Sequence, residues 1–383
     1  MALSSAAQYD LCSSCDVPPG ELFAHAITRL QLPGGGCLSV LKILLTDACS
    51  YDCFYCANRA GRSVRRHSLA PERLASVFLD LEQRGLVNGL FLSSAIRSSP
   101  AETMADMLTA VEILRQRHRF RGYVHLKVLP GAPYDCVTRA VELADRVSVN
   151  VEAPTQAALD RLATRKQLAE GVIQRMHWIR QAATRAGPGA LRSGQTTQFV
   201  VGAGEESDRE ILTCAEGLRH SVGLRRAYFS AFRPISDTPL EGERPTPLLR
   251  QHRLYQADWL LRAYGFELGE LPFDRQGCLP LDLDPKLLFA LRNPQLFPVD
   301  IGRATRKELL RVPGIGPRGA TRILAARRQG RLSGRAELRN LGVAVSRAAP
   351  FVLVGGRRGG RLEDLLRRLR PRAEQLELCL PAA

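Results

Sequence analysis

From residue 38 to about 232 this chain alternates short β-like runs with amphipathic helical patterns, and that alternation limits the folds open to it. The runs cover residues 41–46, 90–94, 123–129, 147–152, 196–201 and 228–232, with helical stretches at 71–84, 101–119, 134–144, 171–185 and 207–221 between them. Pro71 suits a first helical turn, where its missing N–H is no loss. Six β/α units in series require a parallel sheet with helices outside it. Six are too few for an eight-unit barrel, so an α/β partial (β/α)6 barrel is the expected closure. The run at 41–46 is apolar enough to be buried on both faces. At 123–129, Val124, Leu126 and Val128 face one way and Tyr123, His125 and Lys127 the other; at 147–152 three valines alternate with Ser148, Asn150 and Glu152. If the apolar sets pack on the helices, the polar sets line the lumen. A solid barrel would place bulky branched residues there, so a cavity for a polar ligand is expected.

Charge divides the chain. Residues 301–383 hold 19 Arg and Lys against 6 Asp and Glu, which is +13 of the total +16. A basic tail on a near-neutral body suggests a polyanionic partner, although an arginine-rich surface without a partner would show the same balance. Four regions are expected: an N-terminal extension (1–37), the barrel (38–240), an extension and connector (241–300) and a small basic α-helical domain with its tail (301–383). The N-terminus has no basic segment followed by an apolar core, and no stretch of about 18 apolar residues occurs. A cytoplasmic protein without a membrane segment is expected. Ten cysteines in such a compartment do not suggest a disulfide framework.

Three of those cysteines cluster directly after the first run. In Leu45-Thr46-Asp47-Ala48-Cys49-Ser50-Tyr51-Asp52-Cys53-Phe54-Tyr55-Cys56 the C-x3-C-x2-C spacing lets one loop offer three thiolates, the soft ligands of iron–sulfur clusters. A structural zinc site takes four ligands, and no fourth lies close by in sequence. A zinc loop completed from afar, or three unrelated thiols, are the alternatives. This segment resembles the radical S-adenosylmethionine (SAM) superfamily over roughly residues 38–240. The resemblance implies a [4Fe–4S] cluster on Cys49, Cys53 and Cys56, with SAM on its open iron. It also implies cofactor contacts at Tyr55, Ser93, Ser94, Asn150, Glu152 and Gly202, the last within Phe199-Val200-Val201-Gly202-Ala203-Gly204-Glu205. Family members carry a Gly-Gly-Glu-like segment where this chain has Ser93-Ser94-Ala95, so carbonyls and hydroxyls would serve here. Lumen candidates for substrate contact are Lys42, His125, Lys127, Ser148, Tyr228 and Ser230, each of which could equally be a satisfied core polar group. Arg59 and Arg165 could meet a carboxylate or phosphate, or lie solvated.

Near residue 305, Thr305-Arg306-Lys307-Glu308 fits a capping box. A short helix then meets Val312-Pro313-Gly314-Ile315-Gly316-Pro317, and a second helix follows from about Arg318. This pattern resembles a helix-hairpin-helix motif. The resemblance implies that backbone N–H groups around Val312, Gly314, Ile315 and Gly316, with Arg318 and Arg322, hold a DNA phosphate by helix-terminus physics. Such binding is independent of sequence and sensitive to salt. A protein–protein hairpin is the alternative. The whole chain is similar to the bacterial DNA modification/repair radical SAM proteins that carry a C-terminal helix-hairpin-helix.

That likeness implies an enzyme that binds DNA and uses a 5′-deoxyadenosyl radical to repair or modify a base or sugar. Its implied partners are a uracil-DNA-glycosylase-like protein and an electron donor such as flavodoxin or ferredoxin. Two alternatives stay open: a radical SAM enzyme acting on RNA or on a nucleic-acid-bound protein, and a DNA-binding Fe–S redox sensor without turnover. Weaker signals are the Cys12/Cys15 pair, a hydrogen-atom donor among Cys136, Cys214 and Cys278, and Gln375–Leu380, which resembles a sliding-clamp-docking peptide. No internal repeat is apparent.

Overall fold

A computed structural model describes Leu3 and residues 26–31, 37–330 and 334–369. The Cys12/Cys15 pair and the 375–380 peptide lie outside the described residues. The chain divides into two compact units, 1–251 and 252–383. Among the described residues no helix is long and apolar enough to cross a membrane.

In the first unit the strands are β1 (Ile27–Gln31), β2 (Cys37–Leu44), β3 (Gly89–Ser93), β4 (Tyr123–Lys127), β5 (Arg146–Ser148), β6 (Pro188–Leu191), β7 (Gln195–Val201) and β8 (Arg226–Ala231). All but β6 form one sheet in the order β1-β2-β3-β4-β5-β7-β8. Strands β2 to β8 of that sheet are parallel, which matches the six expected units, and they curl into a half-barrel. Strand β1 pairs antiparallel with β2 along the edge, in a segment assigned from sequence to an extension. Strand β5 stops at Ser148, short of the expected 152, and Glu152 makes only an isolated bridge to Phe199.

Local chemistry sets the helix starts. Pro71 opens helix Pro71–Gln83, whose Leu74, Phe78 and Leu81 recur at helical spacing and are buried. The Ser99 hydroxyl accepts from Glu102 N to start Pro100–Glu112, and Ser207 with Glu210 forms a full capping box for Asp208–Val222.

Register orders the inner face of the sheet into layers. Lys42, Phe91, His125 and Arg146 are aligned across β2 to β5, and two residues further along these strands come Leu44, Ser93, Lys127 and Ser148.

The second unit begins at 252 rather than at 301. Leu287, Val299 and Ile301 share a core with Leu309, Ile323, Leu338 and Phe351, so the residues assigned to a connector are part of this domain. Residues 241–251 belong to the first unit, where Thr246 Oγ1 donates to Val201 O (2.8 Å) and Arg250 Nε to Asp208 Oδ1 (2.8 Å). A small sheet, β9 (Val299–Asp300), β10 (Val352–Val354) and β11 (Arg357–Arg358), accompanies the helices. The Thr305–Glu308 capping box is present, and helix Arg306–Arg311 is joined by a turn to Pro317–Arg328.

A repeat also emerges in this unit. Residues 310–320 and 338–348 align without a gap, with buried Leu310, Ile315 and Ala320 matching buried Leu338, Val343 and Ala348. The turn glycines of the pair, Gly314 and Gly342, have φ of +85° and +82°.

Gly202 (φ +92°) gives a direct test of the first unit, because a Cβ there would lie 2.0 Å from Thr246 Oγ1. Gly61 has a similar φ (+84°) and open space around it. Gly202→Ala should therefore lose about 2–4 kcal/mol in urea unfolding and Gly61→Ala about 1–2 kcal/mol. Equal losses would show that the close approach to Thr246 carries no energy.

Candidate functional site

The cysteine loop follows β2 and has almost no regular structure of its own; a few of its backbone groups pair within it, such as Ala60 N with Tyr51 O (2.7 Å), and others are satisfied by side chains and by backbone further along the chain. Arg66 donates from Nη1 to Asp47 O (2.8 Å) and Asn58 O (3.0 Å), and from Nη2 to Arg59 O (2.7 Å). The Asp47 carboxylate accepts from His67 N (2.6 Å) and faces His67 Nδ1 (3.0 Å). Ser50 N donates to Ile96 O (2.7 Å), Phe54 N to Leu162 O (2.7 Å) and Arg165 Nη1 to Ser50 O (2.9 Å).

Cys49, Cys53 and Cys56 line a cavity of about 140 Å³ at the C-terminal ends of the parallel strands, the end at which barrel folds place their sites. Leu44, Ser93 and Lys127, the last residues of β2, β3 and β4, form part of its wall, together with Asn150, Glu152 and Gln198. Tyr51, Tyr55, Asn58, Ser94 and Lys166 complete its polar surface. Two of the sulfurs receive backbone N–H groups: Tyr51 N to Cys49 Sγ and Asn58 N to Cys56 Sγ, both at 3.4 Å.

Lys166 has the clearest electrostatic role. Its Nζ lies 3.0 Å from Glu152 Oε1 and donates to Tyr55 Oη at 3.2 Å, with both side chains of the ion pair buried. Burial alone would depress this ammonium, but Cys53, Glu152 and Tyr55 outweigh it and carry its pKa well above the ordinary lysine value. It is therefore favoured as a cation beside Glu152. Burial also pushes the Cys56 thiol up to about 12, with Cys53 adding to the effect, and raises Cys53 in spite of Lys166. Without metal these thiols stay protonated, so loading must release protons.

The donor set fits an iron–sulfur cluster. Three soft sulfurs come from one loop, with N–H groups aimed at two of them. Among the described residues no three His, Cys, Asp or Glu side chains are grouped to hold a single metal ion. Thiolates that serve separate irons of a cubane need not converge on one point.

The structure brings Cys49, Cys53, Cys56, Tyr55, Ser93, Ser94, Asn150, Glu152 and Lys127 into this cavity and leaves the other candidates outside its wall. Gly202 is held instead by Glu206, whose carboxylate accepts from the N–H groups of Gly202 and Gly204. Lys42, His125 and Ser148 occupy packed parts of the lumen: His125 stacks on Phe91 at 4.2 Å and bonds Ser148 Oγ through Nε2 at 2.9 Å, and Lys42 Nζ sits 6.0 Å from the Phe91 ring. Tyr228 lies beside Arg226 (4.9 Å), and Ser230 pairs in register with Val200. Arg165 anchors the loop, and Arg59 is not in the wall. Cys136 and Cys214 sit on helices outside the wall, and Cys278 belongs to the second unit.

Sequence reasoning missed Lys166 and Gln198. Gln198 was legible, since it shares the inward face of β7 with Thr196. Lys166 lies on an irregular segment and no periodicity marks it.

In the second unit the Val312 and Ile315 side chains are buried in its core, so only their backbone faces outward chemistry. Arg318 and Arg322 are exposed, while Arg327 Nη1 is committed to Ala304 O (2.8 Å).

Residues 43–216 match the Radical SAM superfamily. No curated protein matches the chain. Solved structures with partial likeness include HydG, a maturase of the [FeFe]-hydrogenase (12% identity, 57% of this chain and 48% of that chain, TM-score 0.44). Methylornithine synthase (PylB) has 15% identity, 65% and 67% coverage and a TM-score of 0.47. TsrM from Kitasatospora setae, a radical SAM methyltransferase, has 15% identity, 52% and 38% coverage and a TM-score of 0.39. This chain spans about half the length of HydG. Residues 43–216, with three loop thiols lining a cavity at the strand ends, thus form a region that matches the radical SAM superfamily, whose enzymes work with a [4Fe–4S] cluster and SAM.

Proposed function

We propose that this chain is a radical SAM enzyme that holds DNA through its second unit and repairs or modifies a DNA base or sugar. The observation that carries the reading is the sharing of one cavity by Cys49, Cys53 and Cys56 with the buried Lys166–Glu152 pair. When bound, the cluster and SAM supply an electron and the 5′-deoxyadenosyl radical that removes a substrate hydrogen.

The chain's own residues bind, orient and exclude. The three cysteines hold the cluster. Lys166 offers a fixed positive charge to a carboxylate, and Asn150 and Glu152 offer hydrogen bonds to ribose hydroxyls. Ser93, Ser94 and nearby carbonyls face an ammonium group, the Ser94 hydroxyl being fixed by its bond to Ala95 O (2.7 Å). Tyr55 packs beside the apolar cluster of Leu159, Leu162 and Phe232, which closes that side to water.

The DNA half of the proposal rests on the helix-hairpin-helix likeness of residues 305–328 and on the basic charge of this region. The Gly314–Gly316 turn leads into the N-terminus of helix Pro317–Arg328, which suits an anion, and exposed Arg318 and Arg322 add cations. Contacts of this kind position a protein on DNA without reading its sequence.

Three outcomes are expected. Cys53→Ala should abolish the broad visible absorbance of the anaerobically reconstituted cluster and the release of 5′-deoxyadenosine, while DNA binding survives; loss of DNA binding as well would contradict two separable functions. Lys166→Met should destabilise the protein by about 3–5 kcal/mol, because it leaves Glu152 buried without its partner. Adding Glu152→Gln should then cost less than the sum of the two single changes in urea unfolding, and strict additivity would mean the pair is not coupled. The double substitution Arg318→Ala/Arg322→Ala should reduce the slope of log K for duplex DNA against log salt by about 2. An unchanged slope would remove these arginines from the interface, and SAM cleavage stimulated by RNA but not by DNA would redirect the reading to RNA.

A further inference from the structure

A second concave site lies wholly within the second unit, beside the hairpin turn. It is an open cleft of about 280 Å³ whose wall includes Trp259, Tyr264, Lys286, Arg347 and the backbone of Gly314–Gly316. That volume is near the lower end for sites that take small molecules.

Trp259 is a large apolar side chain left 49% exposed. It is held rigidly: the Arg262 guanidinium packs 5.1 Å from its ring, and Arg262 Nε is fixed on Asp258 Oδ2 at 2.7 Å. An aromatic ring fixed in this way loses little freedom when a flat partner stacks on it.

Cationic groups occupy the other side of the cleft. Lys286 Nζ donates to Ile315 O (2.5 Å) and lies 4.4 Å from the Tyr264 ring. Asp284 is already matched by its ion pair with Arg347 and by accepting from Leu287 N (3.1 Å) at a helix start. Asp284 acts on Lys286 through space, and among the described residues no ion pair joins the two. Burial, opposed by Asp284 and reinforced by Arg311 and Arg347, brings its ammonium down to about 7. An oxyanion beside it would restore that charge.

We propose that this cleft takes one unpaired nucleotide, its base stacked on Trp259 and its phosphate beside Lys286 and the hairpin backbone. The site rests on the nucleic-acid reading of this unit but goes beyond it. A hairpin alone grips backbone, whereas an aromatic platform next to it selects a base that is out of the duplex stack. The second unit would then favour single-stranded, displaced or terminal nucleotides over fully paired DNA.

The chain has two tryptophans, so Trp178→Phe leaves Trp259 as the sole fluorescent reporter. The full-length protein in that background is titrated with a thymidine oligonucleotide, with an abasic oligonucleotide of equal length and charge, and with a paired duplex. The thymidine strand should quench Trp259 and bind roughly 5- to 100-fold more tightly than the abasic strand. Trp259→Ala, followed by anisotropy of labelled strands, should erase that margin, and Trp259→Phe should keep most of it. Equal binding of thymidine and abasic strands, or a margin that survives Trp259→Ala, would overturn the nucleotide site. If salt-sensitive duplex binding persisted in that case, the DNA reading of the second unit would stand. Absence of binding to every strand would overturn both.

Discussion

A loop can present three thiols side by side only if its own backbone is held still, and a segment without helix or strand cannot do all of that internally. Here many of the holding groups come from around the loop. Arg66 gathers carbonyls from three loop residues, Asp47 takes the His67 N–H, and backbone from 96 and 162 meets the N–H groups of Ser50 and Phe54. The loop's shape is thus supported by groups within it and around it. Ligands preset in this way meet a cluster with little further loss of chain entropy.

The same cavity carries a second constraint, a charge in a place where charge is costly. Burying an ion pair is tolerated only with good geometry and further hydrogen bonds, and Lys166 has both Glu152 and Tyr55. Glu152 itself sits at φ +63°, a conformation that costs a non-glycine residue on the order of 1–3 kcal/mol. Two ladder bonds hold it there: Glu152 N to Gln198 O (3.0 Å) and Val200 N to Glu152 O (2.8 Å). Beyond the end of β5 at Ser148, Glu152 makes an isolated bridge to Phe199. The period-2 pattern already placed Glu152 on the lumen side, and the cavity wall includes it.

Alternation of polar and apolar residues made the parallel sheet and its polar interior legible, because each strand's pattern reports which face meets the helices. It did not report depth. His125 and Lys127 share a face of β4 and look equivalent in sequence, yet Lys127 reaches the cavity while His125 stacks on Phe91. Only the register between strands separates them. Strand β1, which pairs with β2 from Gln31–Cys37 to Ile27–Leu41, falls in the stretch read as an extension, and Lys166 was missed because it lies where no period runs. The boundary at 252 was missed for a different reason. Composition changes near 301, but the apolar residues that complete the domain's core, Leu287 and Val299 among them, sit in a stretch whose charge resembles that of the barrel.

The repeat in the second unit escaped notice because only four of its eleven aligned positions are identical. What it preserves is geometry. A Cβ on Gly314 would lie 2.6 Å from Ala344 O, and Ala344 N donates back to Gly314 O at 2.9 Å, while Gly319 packs near Val343 and the backbone of Gly342. Each turn is a wall for the other, so neither would bury its apolar residues alone, which is the usual logic of repeated units. The outward positions have diverged: Gly316 is matched by Ala344, and Arg318 by Ser346. The packing half of the motif is thus kept in both copies, whereas the small residue and the cation that would suit an anion are kept together only in the first. The first turn is the one that lines the cleft with Trp259 and Lys286, which is consistent with the anion site proposed there.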